Sequence, residues 1–232
     1  MNIKENLYKH LVHSTGEILA KAEGYQYISF DIFDTLLMRT TGSPTTVFEE
    51  IGKREEWTTP AEYVQLRTRA EEMARRGNAK EIHLADIYSE MIKLDPKVSS
   101  RVDSLMTEEL AVERKVLRRR NDVGEIYDKL KDSHTVLLIS DMYLGKQFIT
   151  NVLASAGYDI ENVPVFISSE FMATKMTGEL FQIAVRECSI PKPSQLLHIG
   201  DSFLPDYHGA RKAGVHPFLI NRNGENSSVR IN

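Results

Sequence analysis

Tyr27-Ile28-Ser29-Phe30-Asp31-Ile32-Phe33-Asp34-Thr35-Leu36 opens with a short, mostly apolar run that stops at an aspartate, and this pattern recurs down the chain. Similar runs of four to six residues stand at 135–139, 163–167 and 196–199, with a fifth at 215–220, mostly rich in Val, Ile, Leu and Phe and without polar alternation. Strands read this way when both faces are covered, which is the habit of a parallel sheet. Helical stretches at 146–156, 178–187 and 205–213 lie among them. Alternating strand and helix predicts a doubly wound, Rossmann-like α/β domain.

Upstream, Leu7, Leu11, Ile18 and Leu19 fall at near-helical spacing before Gly24, which predicts a helix over 6–21 packed on the main body. Downstream of the first run the rhythm breaks. The 95 residues 39–133 read almost wholly as helix, with Ser43-Pro44 and Thr59-Pro60 each offering an N-cap followed by proline at the first helical position, and Asp95-Pro96 as later punctuation. Helices are expected over 45–54, 61–76, 84–94, 98–117 and 121–131. An insert of this length exceeds a crossover and suffices for a helical subdomain. The expected organisation is an α/β core of 1–38 and 134–232, N-terminal helix included, interrupted by a helical subdomain of 39–133. The polar end, 221–232, is expected to fray.

Composition narrows the function. Over 232 residues, 29 Lys plus Arg against 33 Asp plus Glu leave a net charge of -4, so no whole-chain cationic field exists to draw nucleic acid or an anionic membrane. With 41% hydrophobic and 27% charged residues the chain has the make-up of an ordinary soluble globule, and its apolar runs are far too short to span a bilayer. The single cysteine, Cys188, forms no internal disulfide, and no charged, apolar, small-residue leader opens the chain, so a cytoplasmic location is expected. Oligomeric state is not legible at this level.

The chemistry is signalled by what ends each strand: Asp31, then Ser140-Asp141, then Ser168-Ser169-Glu170, then Gly200-Asp201-Ser202. In an open parallel sheet all carboxyl ends lie on one edge, where ligands bind, so these groups are expected to converge. Asp31, Asp201 and Asp206 gathered there would repel one another unless a cation neutralised them. Oxygen ligands without cysteine or histidine point to a hard ion, Mg²⁺ where phosphate is also bound. The Ser140 hydroxyl and the Lys175 ammonium supply a hydrogen-bond donor and a positive charge for a phosphoryl group.

Phe30-Asp31-Ile32-Phe33-Asp34-Thr35-Leu36, Leu138-Ile139-Ser140-Asp141, Lys175 followed by Gly178-Glu179-Leu180-Phe181, and Gly200-Asp201-Ser202 with Asp206 resemble, in order, the four motifs of the haloacid-dehalogenase-like (HAD) hydrolases. Asp206 followed by Gly209-Ala210 and Ala213-Gly214 makes the fourth the most specific. The resemblance spans Asp31 to Gly214, and the helical insert matches the place of that family's C1-type cap. It implies that Asp31 attacks phosphorus to form an aspartyl-phosphate, and that Mg²⁺ is held by Asp31, the Phe33 carbonyl and Asp201, with Asp206 as a ligand, a water-mediated ligand or an orienter of Lys175. Ser140, backbone amides about Asp141, and Lys175 would hold the phosphate. The DxFDTLL form of the first motif is similar to domains found beside bacterial surface-polysaccharide enzymes. That similarity implies a small phosphorylated metabolite, such as a sugar, polyol or amino-alcohol phosphate.

One departure matters. Phosphatases of this family usually carry a general acid–base aspartate two residues after the nucleophile, and here that position is Phe33. Asp34 takes over that role or else caps the turn by bonding local amides; a cap residue such as His83 is a further source of the proton. Arg39, Arg67 and His83 are the weaker candidates for selectivity. A 2-haloacid dehalogenase and a non-catalytic binding module are the alternatives, the first having no use for a metal pair such as Asp201 and Asp206. Elsewhere simpler readings prevail. Arg118-Arg119-Arg120 reads as a solvated helix end preceded by Glu108, Glu109 and Glu113, and His10 and His13, one helical turn apart, lack partners for a metal. His198 reads as a satisfied core histidine, Cys188 as a small hydrophobe and Trp57 as a packing residue.

Overall fold

Six parallel strands form the main sheet of the computed structural model, which describes residues 11–76 and 81–222. In chain order the strands are β1 (Val12–His13), β2 (Tyr27–Phe30), β3 (Leu37–Arg39), β4 (Leu117–Arg119), β5 (Thr135–Ser140), β6 (Val165–Ile167), β7 (Leu196–Gly200) and β8 (His216–Ile220). The main sheet runs β1-β8-β7-β2-β5-β6, and β3 pairs antiparallel with β4 in a separate ribbon. Register is set by Tyr27 opposite Thr135 on one side and Leu196 on the other. Val136 and Leu138 belong to one hydrophobic cluster, Leu137 and Ile139 to another. Successive side chains thus enter cores on opposite faces, which is why β5 shows no polar alternation.

The helices are α1 (Ile18–Ala22), α2 (Thr45–Gly52), α3 (Pro60–Arg75), α4 (Leu84–Leu94), α5 (Val102–Val116), α6 (Asn121–Ser133), α7 (Lys146–Ser155), α8 (Ser168–Phe171), α9 (Glu179–Glu187) and α10 (Ala210–Lys212). Helices α2 to α5 pack on one another. At the start of α3, Thr59 and Glu62 form a reciprocal capping box ahead of Pro60. Helix α6 lies instead against β5 and α1, with the Tyr127 ring edge-on to Phe30 at 5.7 Å.

Four expectations are corrected. The helix predicted over 6–21 begins only at Thr15, because Ser14 and Glu17 cap a 3₁₀ turn there and start the helical path late. Val12–His13 instead pairs with β8, and the His13 ring stacks on Phe218, so no helical turn carries His13; His10 lies outside the described residues. The predicted helix over 98–117 is a 3₁₀ turn, Pro96–Arg101, followed by α5. Arg118 and Arg119 lie on β4, the latter 4.2 Å from the Tyr158 ring centre, and Arg120 is buried against Asp122. Three-residue strands carry too little periodicity to announce themselves. Finally, the helix predicted over 205–213 is mostly a wide π-helical turn, Phe203–Gly209.

Candidate functional site

The chain passes from β6 on one side of β2 to β7 on the other, so β2 and β7 flank the point where strand order reverses. At such a switch point the crossovers leave on opposite faces and open a crevice at the carboxyl ends. Asp31 stands at the end of β2, its amide donating to the Ile199 carbonyl of β7 at 2.9 Å. Asp201 directly follows β7, and Asp206 returns from the π-helical turn. Carboxylate oxygens of Asp31, Asp201 and Asp206 all lie within 4.8 Å of one another, and all three residues are buried.

Lys175 threads into this group. Its Nζ donates to Asp31 Oδ1 and to Asp206 Oδ1, each at 2.5 Å, with 2% of the side chain exposed. The loop carrying it is anchored by the Asp141 carboxylate, which accepts from the Lys175 amide at 2.8 Å, and closes where the Gly178 amide donates to the Lys175 carbonyl with φ at 85°. Asp141, expected among the phosphate-holding groups, thus directs its carboxylate at the backbone of Lys175. Ser140 Oγ donates to Asp31 Oδ1 at 3.3 Å. Asp206 is fixed from behind: its Oδ2 accepts from the Ser202 amide at 2.8 Å, and its Oδ1 lies 3.1 Å from His198 Nε2, whose Nδ1 meets Ser29 Oγ at 2.8 Å. His198 is therefore the satisfied core histidine expected.

Burial and charge act against each other here. Burial lifts the Asp31 carboxyl to about 8, with Lys175 pulling down and Asp206 and Asp201 pushing up. Burial and then the neighbouring Asp206 push Asp201 up to about 6, and burial lifts Asp141 to about 6. For Asp206 burial alone would raise the value, but Lys175 and His198 hold it below the usual carboxylate range. Lys175 follows the same logic with opposite sign: burial would lower it, and Asp206, Asp31 and Asp141 raise it. With all three carboxylates ionised, negative charge would outweigh the one ammonium among them, and part of the lift at Asp31 comes from that repulsion. At 4 Å, like charges repel by about 4 kcal/mol even at an effective dielectric of about 20. An oxygen-only cluster of this charge fits a hard divalent cation.

The turn after Asp31 decides what stands next to it. Phe33 is nearly buried, with the Arg39 guanidinium 5.2 Å from its ring centre, and Arg39 is itself paired in bidentate fashion with Glu113. Asp34 adopts the left-handed conformation, φ 61°, with its amide donating to the Leu37 carbonyl and its carbonyl accepting from Arg120 Nη1 at 3.0 Å. Its carboxylate is 3.4 Å from Arg222 Nε, which also donates to Asp201 Oδ2 at 2.6 Å. Arg67 is wholly buried against Glu109, and His83 heads α4 with its amide on Asp86. Trp57 packs edge-on to Tyr63, as expected of a packing residue. Arg222 was hidden in the stretch expected to fray. The signal that finds it is its place just past β8, at the edge where every other strand delivers a polar group.

The sequence matches no protein-family model and no curated protein. Solved structures do match. A HAD-hydrolase of Bacillus subtilis bound to magnesium is 13% identical, with a TM-score of 0.61 over 83% of this chain and 87% of that one. A HAD-family enzyme of Bacteroides thetaiotaomicron, in complex with magnesium and inorganic phosphate, is 15% identical, with a TM-score of 0.61 over 88% and 98%. The L-2-haloacid dehalogenase of Xanthobacter autotrophicus, with chloropropionic acid covalently bound, is 11% identical, with a TM-score of 0.58 over 83% and 76%. At such identities the likeness is one of architecture, and it agrees with the parallel sheet and the strand ends described above: the chain has the Rossmann-like α/β fold of the HAD superfamily.

Proposed function

We propose that the chain is a Mg²⁺-dependent phosphatase that hydrolyses a phosphate monoester of a small metabolite through an aspartyl-phosphate on Asp31. The observation carrying this reading is Lys175 Nζ, 2.5 Å from both Asp31 and Asp206 inside a buried ring of three carboxylates. A buried ammonium at that point lowers the repulsion between the nucleophile and an incoming phosphoryl group and takes up charge as the reaction proceeds. An Asp31 oxygen attacks phosphorus in line and the bond to the leaving alcohol oxygen breaks; water then cleaves the acyl phosphate, restoring the carboxylate and releasing inorganic phosphate. Ser140 Oγ, already beside Asp31, serves as a donor to a phosphoryl oxygen. Asp31, Asp201, Asp206 and the Phe33 carbonyl would hold Mg²⁺, which when bound supplies charge neutralisation.

Phe33 has no proton to give. Asp34, part-exposed at the rim of the site, is proposed as the acid–base group that serves the leaving oxygen and then the water. The division into an α/β core (1–38 and 134–232) and a helical cap (39–133) belongs to the same proposal. The packing of α6 on the sheet favours a cap that ends at α5, with the β3–β4 ribbon at its root. A cap over this edge excludes water and favours a small, diffusible substrate over a phosphoprotein, in keeping with a sugar, polyol or amino-alcohol phosphate used in cytoplasmic polysaccharide biosynthesis.

A dehalogenase is the second reading, favoured by Phe33 and by the dehalogenases among the structural matches. Phosphate release from a panel of phosphorylated metabolites, with and without Mg²⁺, separates the two. Turnover is expected only with Mg²⁺, is abolished by Asp31→Asn and falls about 10²- to 10⁴-fold in Asp34→Asn. Chloride release from a haloacid without phosphate release from any ester would favour the dehalogenase, and silence in both assays a binding module.

A further inference from the structure

We propose that Arg222 is a built-in counter-cation of the acidic site, an intramolecular rival of the divalent ion for Asp201 that holds Asp34 by the same contact. The inference rests on the metal-dependent reading above and deepens it. Both oxygens of Asp201 are engaged by this chain: Oδ1 accepts from Thr35 Oγ1 at 3.4 Å and Oδ2 from Arg222 Nε at 2.6 Å. The same Nε lies 3.4 Å from Asp34 Oδ2, so one guanidinium bridges a candidate metal ligand and the candidate acid–base group.

The backbone beneath Arg222 is built to put it there. Its carbonyl accepts from Arg120 Nη1 at 3.1 Å, and the same Nη1 donates to the Asp34 carbonyl at 3.0 Å. Arg120 is 2% exposed, and its charge is matched in bidentate fashion by Asp122. That pairing leaves the Arg222 charge to the site acids. The Arg222 side chain, by contrast, is half-exposed, so its head can move into solvent when an ion takes its place on the buried Asp201 carboxylate. A divalent ion taking Asp201 would face a like charge hydrogen-bonded to its own ligand, and the two cations exclude each other. Ion binding therefore displaces the guanidinium, and the displacement frees the Asp34 carboxylate for proton transfer. The metal-bound site and the released acid–base group become one state.

Calorimetric titration of the full chain with Mg²⁺, for the wild type, Arg222→Gln and Arg222→Lys, tests this. Removing a competing charge at this range is expected to tighten Mg²⁺ binding about tenfold or more in Arg222→Gln, while Arg222→Lys stays near the wild type. In EDTA, Arg222→Gln is expected to melt below the wild type, because the acids lose a counter-charge, and to gain more in melting temperature on adding Mg²⁺. Mg²⁺ binding no tighter in Arg222→Gln than in the wild type would overturn the inference and leave the phosphatase reading standing. Absence of Mg²⁺ binding in all three chains would overturn both.

Discussion

Asp31 sets the proton balance of the site. Its ordinary value of 3.8 is lifted to about 8, chiefly by burial. Without a divalent ion the folded chain therefore keeps a proton between about pH 4 and pH 8 that the unfolded chain has lost. Stability from this group is full below about pH 4 and is lost as pH rises through about 8. Asp206 runs the other way: its depressed value contributes stability at neutral pH that disappears only in strong acid. The proposed Mg²⁺ needs the ionised carboxylates, so its binding below about pH 8 would expel the Asp31 proton. Affinity for Mg²⁺ is expected to tighten about tenfold per pH unit from pH 6 to 8 and to level off above. Calorimetry in buffers of different ionisation enthalpy reads the proton release directly, and a pH-independent affinity would refute it. Asp31 and Asp201 are visible in the sequence because each stands at or just past an apolar run, and Asp206 through the motif it forms with Gly200-Asp201-Ser202 and Gly209-Ala210. The direction of the Asp34 carboxylate is not, because a left-handed turn residue escapes the alternation that governs a strand.

Between elements, two glycines let the acidic cluster close. A Cβ on Gly200 would lie 2.3 Å from the Asp206 side chain, and one on Gly209 would lie 2.0 Å from the Lys175 carbonyl oxygen. The π-helical turn is thus pressed against the lysine loop with no room for a side chain. Gly209→Ala is expected to push the Lys175 backbone outward, lowering kcat/KM about 10²-fold, as misplacement by about 1 Å commonly does, and lowering the melting temperature. Gly24→Ala, where the added methyl would sit 3.9 Å from its nearest neighbour, is the control and should leave turnover unchanged. Steady-state kinetics with circular-dichroism melts checks both. The Gly209-Ala210 pair was legible as part of a motif. The width of the turn was not, since it follows from Asp206 reaching back to the Ser202 amide rather than from any helical period.

Over the whole molecule, the helical insert is tied to the sheet by buried charge. Arg67 on α3 is wholly buried and bonds Glu109 on α5 at 2.7 and 2.9 Å. Glu109 also accepts from Tyr88 on α4 and from Tyr143, in the segment that follows β5. Nearby, Ser168 at the end of β6 donates to the buried Glu81 at 2.8 Å. Arg67→Ala strands the Glu109 carboxylate and is expected to destabilise the protein by about 3–5 kcal/mol, measured by urea unfolding. The double change Arg67→Met with Glu109→Leu should cost far less, because no charge is left unpaired. An equal loss in both variants would mean that packing rather than charge dominates at this position.

The sequence by itself determined the parallel α/β core and the identity of the acids at its edge, because apolar runs covered on both faces and the polar residues that end them are local patterns. The tertiary structure alone decided that Val12–His13 joins the sheet, that β3 and β4 pair across the insert, and that Arg222 bridges Asp34 and Asp201. Each of these joins residues distant in the chain through backbone pairing or a single long side chain. Such a partner is set by where the folded chain brings it, not by any spacing along the sequence.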